Sequence, residues 1–137
     1  MNMQELHVDA TIENIGKVTE FVDSRLEELG CPLKAQMQID IAIDELFGNI
    51  AHYAYNPDVG PATVRVEVTE EPVAVIITFI DQGVPYDPLA KADPDVGLSL
   101  EEREAGGLGI FMVKKTMDEI SYEYREGQNI LKIKKRF

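Results

Sequence analysis

Ile43-Asp44-Glu45-Leu46-Phe47-Gly48-Asn49-Ile50-Ala51-His52-Tyr53 is the stretch on which the reading of this chain turns. It lies inside a longer run of helical period, about Leu33 to Ala54. Glu45 and Asn49 are four residues apart, so a helix stacks them on one face. The pairing sets a carboxylate beside a neutral amide oxygen. The first can polarise a hydroxyl or a water; the second can hold a hard cation such as magnesium. An ordinary solvated helix face shows the same spacing. Here, however, Met37, Ile41 and Ile50 surround the polar pair on nearly every side, so the helix is expected to be buried on more than one face. A carboxylate flanked by Ile41, Leu46 and Phe47 costs energy unless it has a partner or a task.

Upstream, Gln4 to Ala10 alternates, with Leu6, Val8 and Ala10 opposite Glu5, His7 and Asp9, which predicts a short half-buried strand. Asn14 is placed as N-cap of a first helix to about Leu29, with Ile15, Val18, Phe21, Val22, Leu26 and Leu29 on its apolar face. Gly30 ends that helix and Pro32 opens the next.

Downstream, Asn56 to Pro61 is a loop rich in turn residues. Thr63 to Thr69 alternates through Val64, Val66 and Val68. Val73 to Ile80 is almost continuously apolar and predicts a central strand. It runs into Asp81-Gln82-Gly83-Val84-Pro85-Tyr86-Asp87-Pro88, which puts a carboxylate at a sheet mouth. Glycine two residues on lets a flat ligand approach the backbone. The plain alternative is a simple turn. Residues from about 87 to 105 have no steady period and are expected to form a lid. Ala105-Gly106-Gly107-Leu108-Gly109-Ile110 then leads into an apolar helix ending near Met117. Glycines opening a helix expose free N–H groups, the pattern of a phosphate site, or else form a hinge. Ile120 to Tyr124 and Ile130 to Ile133 predict two strands, joined by a turn over Glu126-Gly127-Gln128-Asn129. The basic run Lys132 to Arg136 alternates with apolar residues like an edge strand.

The 137 residues, 45% of them hydrophobic, suit one folded domain over 1–137. The formal charge of −12 argues against a nucleic-acid or anionic-membrane surface, so an anionic ligand needs local donors and a metal. Cys31, the only cysteine, excludes an internal disulfide. With no apolar leader and no membrane-length apolar run, the expected location is the cytoplasm.

The order of these motifs resembles the GHKL ATPase superfamily: Glu-x-x-x-Asn on a helix, a strand ending in Asp-x-Gly, a lid, then Gly-x-Gly opening a helix. The resemblance covers about residues 30 to 135. Within the superfamily, Asp81 to Pro88, Gly106 to Ile110 and Met117-Asp118-Glu119 are similar to the bacterial anti-sigma-factor serine kinases. The resemblance implies that Asn49 ligates a Mg²⁺ that bridges the ATP phosphates, and that Glu45 is the general base for the attacking serine hydroxyl. It implies that Asp81 accepts from the adenine amino group and that Gly83 lets the purine lie flat. Gly107 and Gly109, with Leu108 between them, would meet the phosphates through their backbone.

Three features depart from the family pattern. A histidine is common at the position of Tyr53, whereas here His52 stands one residue early. An arginine is usual just before the glycine box; Glu104 and Ala105 stand there, with Arg103 the nearest cation. A threonine near the last hairpin often touches phosphate, whereas this hairpin carries Gln128 and Asn129.

The implied function is a Mg-ATP-dependent protein serine kinase that sequesters a sigma factor and phosphorylates a serine of an anti-anti-sigma, STAS-type antagonist. The alternative is a nucleotide-gated binding module without catalysis. A histidine kinase ranks below both, because the chain has no helical hairpin bearing a phospho-accepting histidine. Homodimerisation is common in the branch. The expected fold is a two-layer α/β (α+β) sandwich, in which a mixed, mostly antiparallel sheet packs its apolar face on about three helices.

Overall fold

The computed structural model describes residues 3–70, 73–90 and 107–137. Five strands, β1 (Met3–Asp9), β2 (Pro61–Glu70), β3 (Val73–Asp81), β4 (Glu119–Arg125) and β5 (Gln128–Arg136), form one sheet of order β1-β2-β3-β5-β4. Three helices, α1 (Ile15–Glu28), α2 (Leu33–Tyr53) and α3 (Gly107–Thr116), complete the α+β architecture expected from the sequence. All four strand pairings are antiparallel, so the expected parallel component does not occur among the described strands.

The core follows from alternation on the strands. β3 sends Val75, Ile77 and Phe79 to one side, and their cross-strand partners include Val64 and Val66 on β2 and Leu131 and Ile133 on β5. Against this face pack Val18, Val22 and Leu26 of α1, Ile39, Ile43, Leu46 and Phe47 of α2, and Ile110 and Val113 of α3. Burial of Phe47 and Phe79 is essentially complete, which contributes about 1.5–3 kcal/mol for each ring. The same register puts Asp81 opposite Asn129 on the helix-covered face, at the end of the sheet.

The helix ends show the expected chemistry with one exception. Gly30 takes φ +68, and the Gly30 and Cys31 N–H groups return to the Glu27 and Leu26 carbonyls at 3.1 and 3.0 Å. That double bond is the glycine-terminated C-cap, reached through a backbone angle glycine adopts freely. At the C-terminus of α3, Lys135 Nζ donates to the Thr116 carbonyl at 2.6 Å, a cation on the negative end of the helix dipole. Asn14 precedes α1, yet its side chain caps nothing in that helix. It donates instead to the Asp9 carbonyl at 2.8 Å, tying the helix entry to β1.

Three further expectations are corrected. α2 is not buried all round: Leu33, Met37 and Ile41, each four residues from the next, are 71%, 55% and 58% exposed. An apolar count without a partner list cannot tell a buried stripe from a solvent-facing one. β5 is not an edge strand, because β4 folds back on its outer side; the edges are β1 and β4. The last hairpin turns on two residues, not four. Glu126 and Gly127 take φ +54 and +79, and Arg125 pairs directly with Gln128. Gln128 and Asn129 therefore belong to β5.

At the start of the expected lid, Asp87 to Ala90 is a turn. The Ala90 N–H meets the Asp87 carbonyl, Pro88 is buried and Leu89 packs on the core. The expected lid beyond it, and Arg103, lie outside the described residues. No helix among the described residues is long and apolar enough to cross a membrane.

Candidate functional site

Three elements converge at one end of the sheet: the C-terminal half of α2, the end of β3 with the loop after it, and the start of α3. Two cavities flank the C-terminal half of α2, one apolar and one polar. Leu46, Ile50, Phe79 and Leu131 line the first, with Asp81 and Asn129 as its polar groups. Asp44, Glu45 and His52 line the second, beside Ile12 and Ile15. Asn49 borders both. The i,i+4 spacing read from the sequence therefore spans the join between the two cavities.

Asp81 closes the apolar end and is 4% exposed. Its Oδ1 accepts from the Gly83 N–H and from Asn129 Nδ2, both at 2.9 Å. Burial pushes its carboxyl above the usual carboxylate range, while these two hydrogen bonds pull it down. Oδ2 has no protein partner among the described residues and is not sealed off from the cleft. A carboxylate with one oxygen tied and the other facing an apolar pocket is a directional acceptor for a ligand N–H.

Gly83 serves a purpose that the sequence does not reveal. A Cβ there would stand 2.2 Å from the Ala54 carbonyl oxygen. The missing side chain lets the loop after β3 lie against the end of α2, where the Val84 N–H caps Ala54 at 2.9 Å. Gly83 thus shapes the cleft wall by touching protein.

At the polar end, burial raises the Glu45 carboxyl above its ordinary value, and the charge of neighbouring Asp44 adds to this. A hydrogen bond from Asn49 lowers it. An amide beside a carboxylate can offer it an N–H, and the amide oxygen is the atom suited to a cation. Gly109 lies directly against Glu45: a Cβ on it would stand 2.2 Å from the Glu45 carboxylate. Gly107 and Leu108 open α3, whose first-turn N–H groups have no intrahelical acceptor. The structure thus brings Gly109 against Glu45 in the polar region and sets Asp81, with Gly83 bonded to it, at the apolar cavity on the other side of Asn49.

The described residues hold no group of three or more His, Cys, Asp or Glu side chains suited to a metal. A protein cage of carboxylates is therefore not on offer there. One amide oxygen beside one carboxylate suits magnesium, which keeps waters and takes substrate phosphates as ligands.

Sequence reasoning missed two parts of the site. Tyr53, not His52, faces the apolar end, and its ring lies 5.5 Å from that of Tyr86 at 32°. Asn129 is 5% exposed and sits against Asp81, not in the turn. The signal was present: Asn129, Leu131 and Ile133 share one parity, and placing a polar residue on a strand's apolar face asks for a partner. Assigning Asn129 to the turn hid that parity.

The model of the histidine kinase-like ATPase domain matches residues 8–135. The serine-protein kinase RsbW of Bacillus mycoides is 25% identical over 134 residues, covering 95% of this chain and 82% of that one. The serine/threonine-protein kinase BtrW of Bordetella bronchiseptica is 28% identical over 98 residues, 72% of this chain and 68% of its own. Among solved structures, the RsbU and RsbW domains of a Mycobacterium tuberculosis protein align with TM-score 0.68 at 21% identity. That alignment covers 97% of this chain and 32% of the other, so it speaks for the fold alone.

Proposed function

Because the chain belongs to the histidine kinase-like ATPase domain family, we propose that it is a protein serine kinase that takes Mg-ATP into this cleft. The adenine lies at the Asp81 end and the phosphates lie toward Glu45, Asn49 and the start of α3. The observation that carries the reading is the pair of cavities that share Asn49: a directional acceptor in an apolar pocket on one side, and on the other a carboxylate beside a helix N-terminus.

Asn49 would hold magnesium through its amide oxygen, and the ion when bound would neutralise phosphate charge. Glu45 accepts the proton of the attacking serine hydroxyl. The serine oxygen forms its bond to the γ-phosphorus as the bond to the bridging oxygen breaks, and ADP leaves. The N–H groups at the start of α3 meet the phosphate oxygens. Phosphoryl transfer needs mainly such positioning and charge stabilisation. The acceptor in this reading is a serine on an anti-anti-sigma, STAS-type protein, and the alternative partner is a sigma factor. The names of the relatives, both kinases, support the reaction class.

Calorimetric titration with ATP, with and without Mg²⁺, tests the site. Binding should depend on magnesium and weaken in Asn49→Ala. Glu45→Ala should still bind ATP but put no acid-stable phosphate on the STAS protein. Wild-type transfer by Glu45→Ala would remove Glu45 from its role, and no binding at millimolar ATP would sink the reading.

One observation favours the second reading, a nucleotide-gated module without catalysis. Asn129, near the hairpin where the family pattern has a phosphate-contacting threonine, is committed to Asp81 at the base end. Acid-stable phosphoserine on a STAS partner would exclude that reading.

A further inference from the structure

Asn129 has every hydrogen-bonding position of its side-chain amide in use. Nδ2 donates to Asp81 Oδ1 and to the Val84 carbonyl, both at 2.9 Å. Oδ1 accepts from the Tyr86 N–H at 3.2 Å and from the Tyr122 hydroxyl. Only one amide orientation is compatible with these partners. Turned over, the amide would set its oxygen against a carboxylate and a carbonyl, and its NH₂ against the Tyr86 N–H. Tyr122 Oη also accepts from the Tyr86 N–H at 3.2 Å, so the residue that orients the amide is itself held by the loop.

The consequence reaches Asp81. Oδ1 receives two N–H donors, from Gly83 and Asn129, and neither can reverse its role. The carboxylate plane is fixed, and Oδ2 is turned to the cleft as an acceptor. We propose that Asn129 is a positioning residue for base selectivity: by holding Asp81 as an acceptor, it makes the cleft prefer purine nucleotides with a 6-amino group over those with a 6-oxo group. The inference rests on the reading that Asp81 faces the 6-position of a bound purine. A 6-amino group gives Oδ2 the N–H it lacks. A 6-oxo group sets oxygen against oxygen in an apolar pocket, where an unpaired polar group is expensive. Without the Asn129 donor, only the Gly83 N–H holds Oδ1, the carboxyl group can turn about that single hydrogen bond, and the preference relaxes.

Calorimetry of ATP against inosine triphosphate, each with Mg²⁺, reads the effect as a ratio of affinities. The wild type should prefer ATP by at least about tenfold, as expected when a buried hydrogen-bonding group is left unpaired. Asn129→Ala should bring the ratio to about threefold or less. Asn129→Ser is the milder replacement should alanine fail to fold; its side chain is one bond shorter, and it should lower the ratio in the same direction. Tyr122→Phe removes one donor to Asn129 Oδ1, but the Tyr86 N–H still orients the amide, so the variant should keep the wild-type ratio even if both affinities drop. A folded Asn129 variant with the wild-type ratio, or a wild type that binds both nucleotides equally, overturns the proposal. A wild type that binds neither nucleotide instead refutes the nucleotide reading beneath it.

Discussion

Gly109 and Glu45 are in contact across the α2–α3 junction: a Cβ on Gly109 would stand 2.2 Å from the Glu45 carboxylate. The atom that would have to yield is the end of a flexible side chain, not backbone. Gly109→Ala should therefore fold, with a stability gain of up to about 1 kcal/mol from replacing a helical glycine. Glu45 would be displaced, and transfer to a phosphorylatable partner should fall about a hundredfold, the scale of an ångström-size misplacement. Thermal melting and a phosphotransfer assay on the same sample separate the two effects. Unchanged transfer would show that the position of Glu45 does not matter.

Gly83→Ala should behave in the opposite way. Its Cβ would meet the Ala54 carbonyl oxygen at 2.2 Å, and both groups are backbone. The loop after β3 must then lift from the end of α2, at a cost of about 1–3 kcal/mol. Urea unfolding gives the number. A variant as stable as wild type would mean that the close approach of loop and helix is dispensable.

Asp40 predicts a pH dependence. Its carboxyl is raised to about 7, first by burial, then by Asp23 through a shared hydrogen bond and its charge, and by the charge of Glu27. An acid raised on folding stays protonated in the folded chain while the unfolded chain ionises. Stability from this group should therefore fall as pH rises from about 4 to about 7, and level off above. The melting temperature should be higher at pH 5.5 than at pH 8. Asp40→Asn, neutral throughout and able to donate to Asp23, should remove much of that difference and stabilise the protein at pH 8. A wild-type melting temperature that rises across this window, or Asp40→Asn melting below wild type at pH 8, would contradict the reading.

The exposed side of α2 gives a simpler test. Ile41 is 58% exposed, so Ile41→Gln should change stability by no more than about 0.5 kcal/mol. A buried isoleucine at that position would lose several times as much. Chemical denaturation distinguishes the two, and a large loss would restore the expectation of a helix buried all round.

How legible each part was depends on how far its cause lies along the chain. The periods of α1, α2 and β3 were readable because each is a local repeat against one apolar face. The i,i+4 placing of Glu45 and Asn49 was readable because a helix needs only its own residues. Exposure of Leu33, Met37 and Ile41 was not, because it depends on which neighbours pack against α2. The internal place of β5 was hidden for the same reason: an alternating basic strand reads alike whether or not β4 folds back on it.

The sequence by itself determined the elements, the α+β class and the candidate pair on α2, since these follow from short-range periodicity and turn chemistry. Tertiary structure alone decided that Asn129 meets Asp81 and that Gly109 meets Glu45. These contacts join residues 48 and 64 positions apart, and no local pattern carries that information. The contact with Asp81 exists because β3 and β5 pair in the register that sets Asp81 opposite Asn129. A slip of one residue would turn Asn129 to the other face of the sheet and leave the Asp81 carboxylate without its donor.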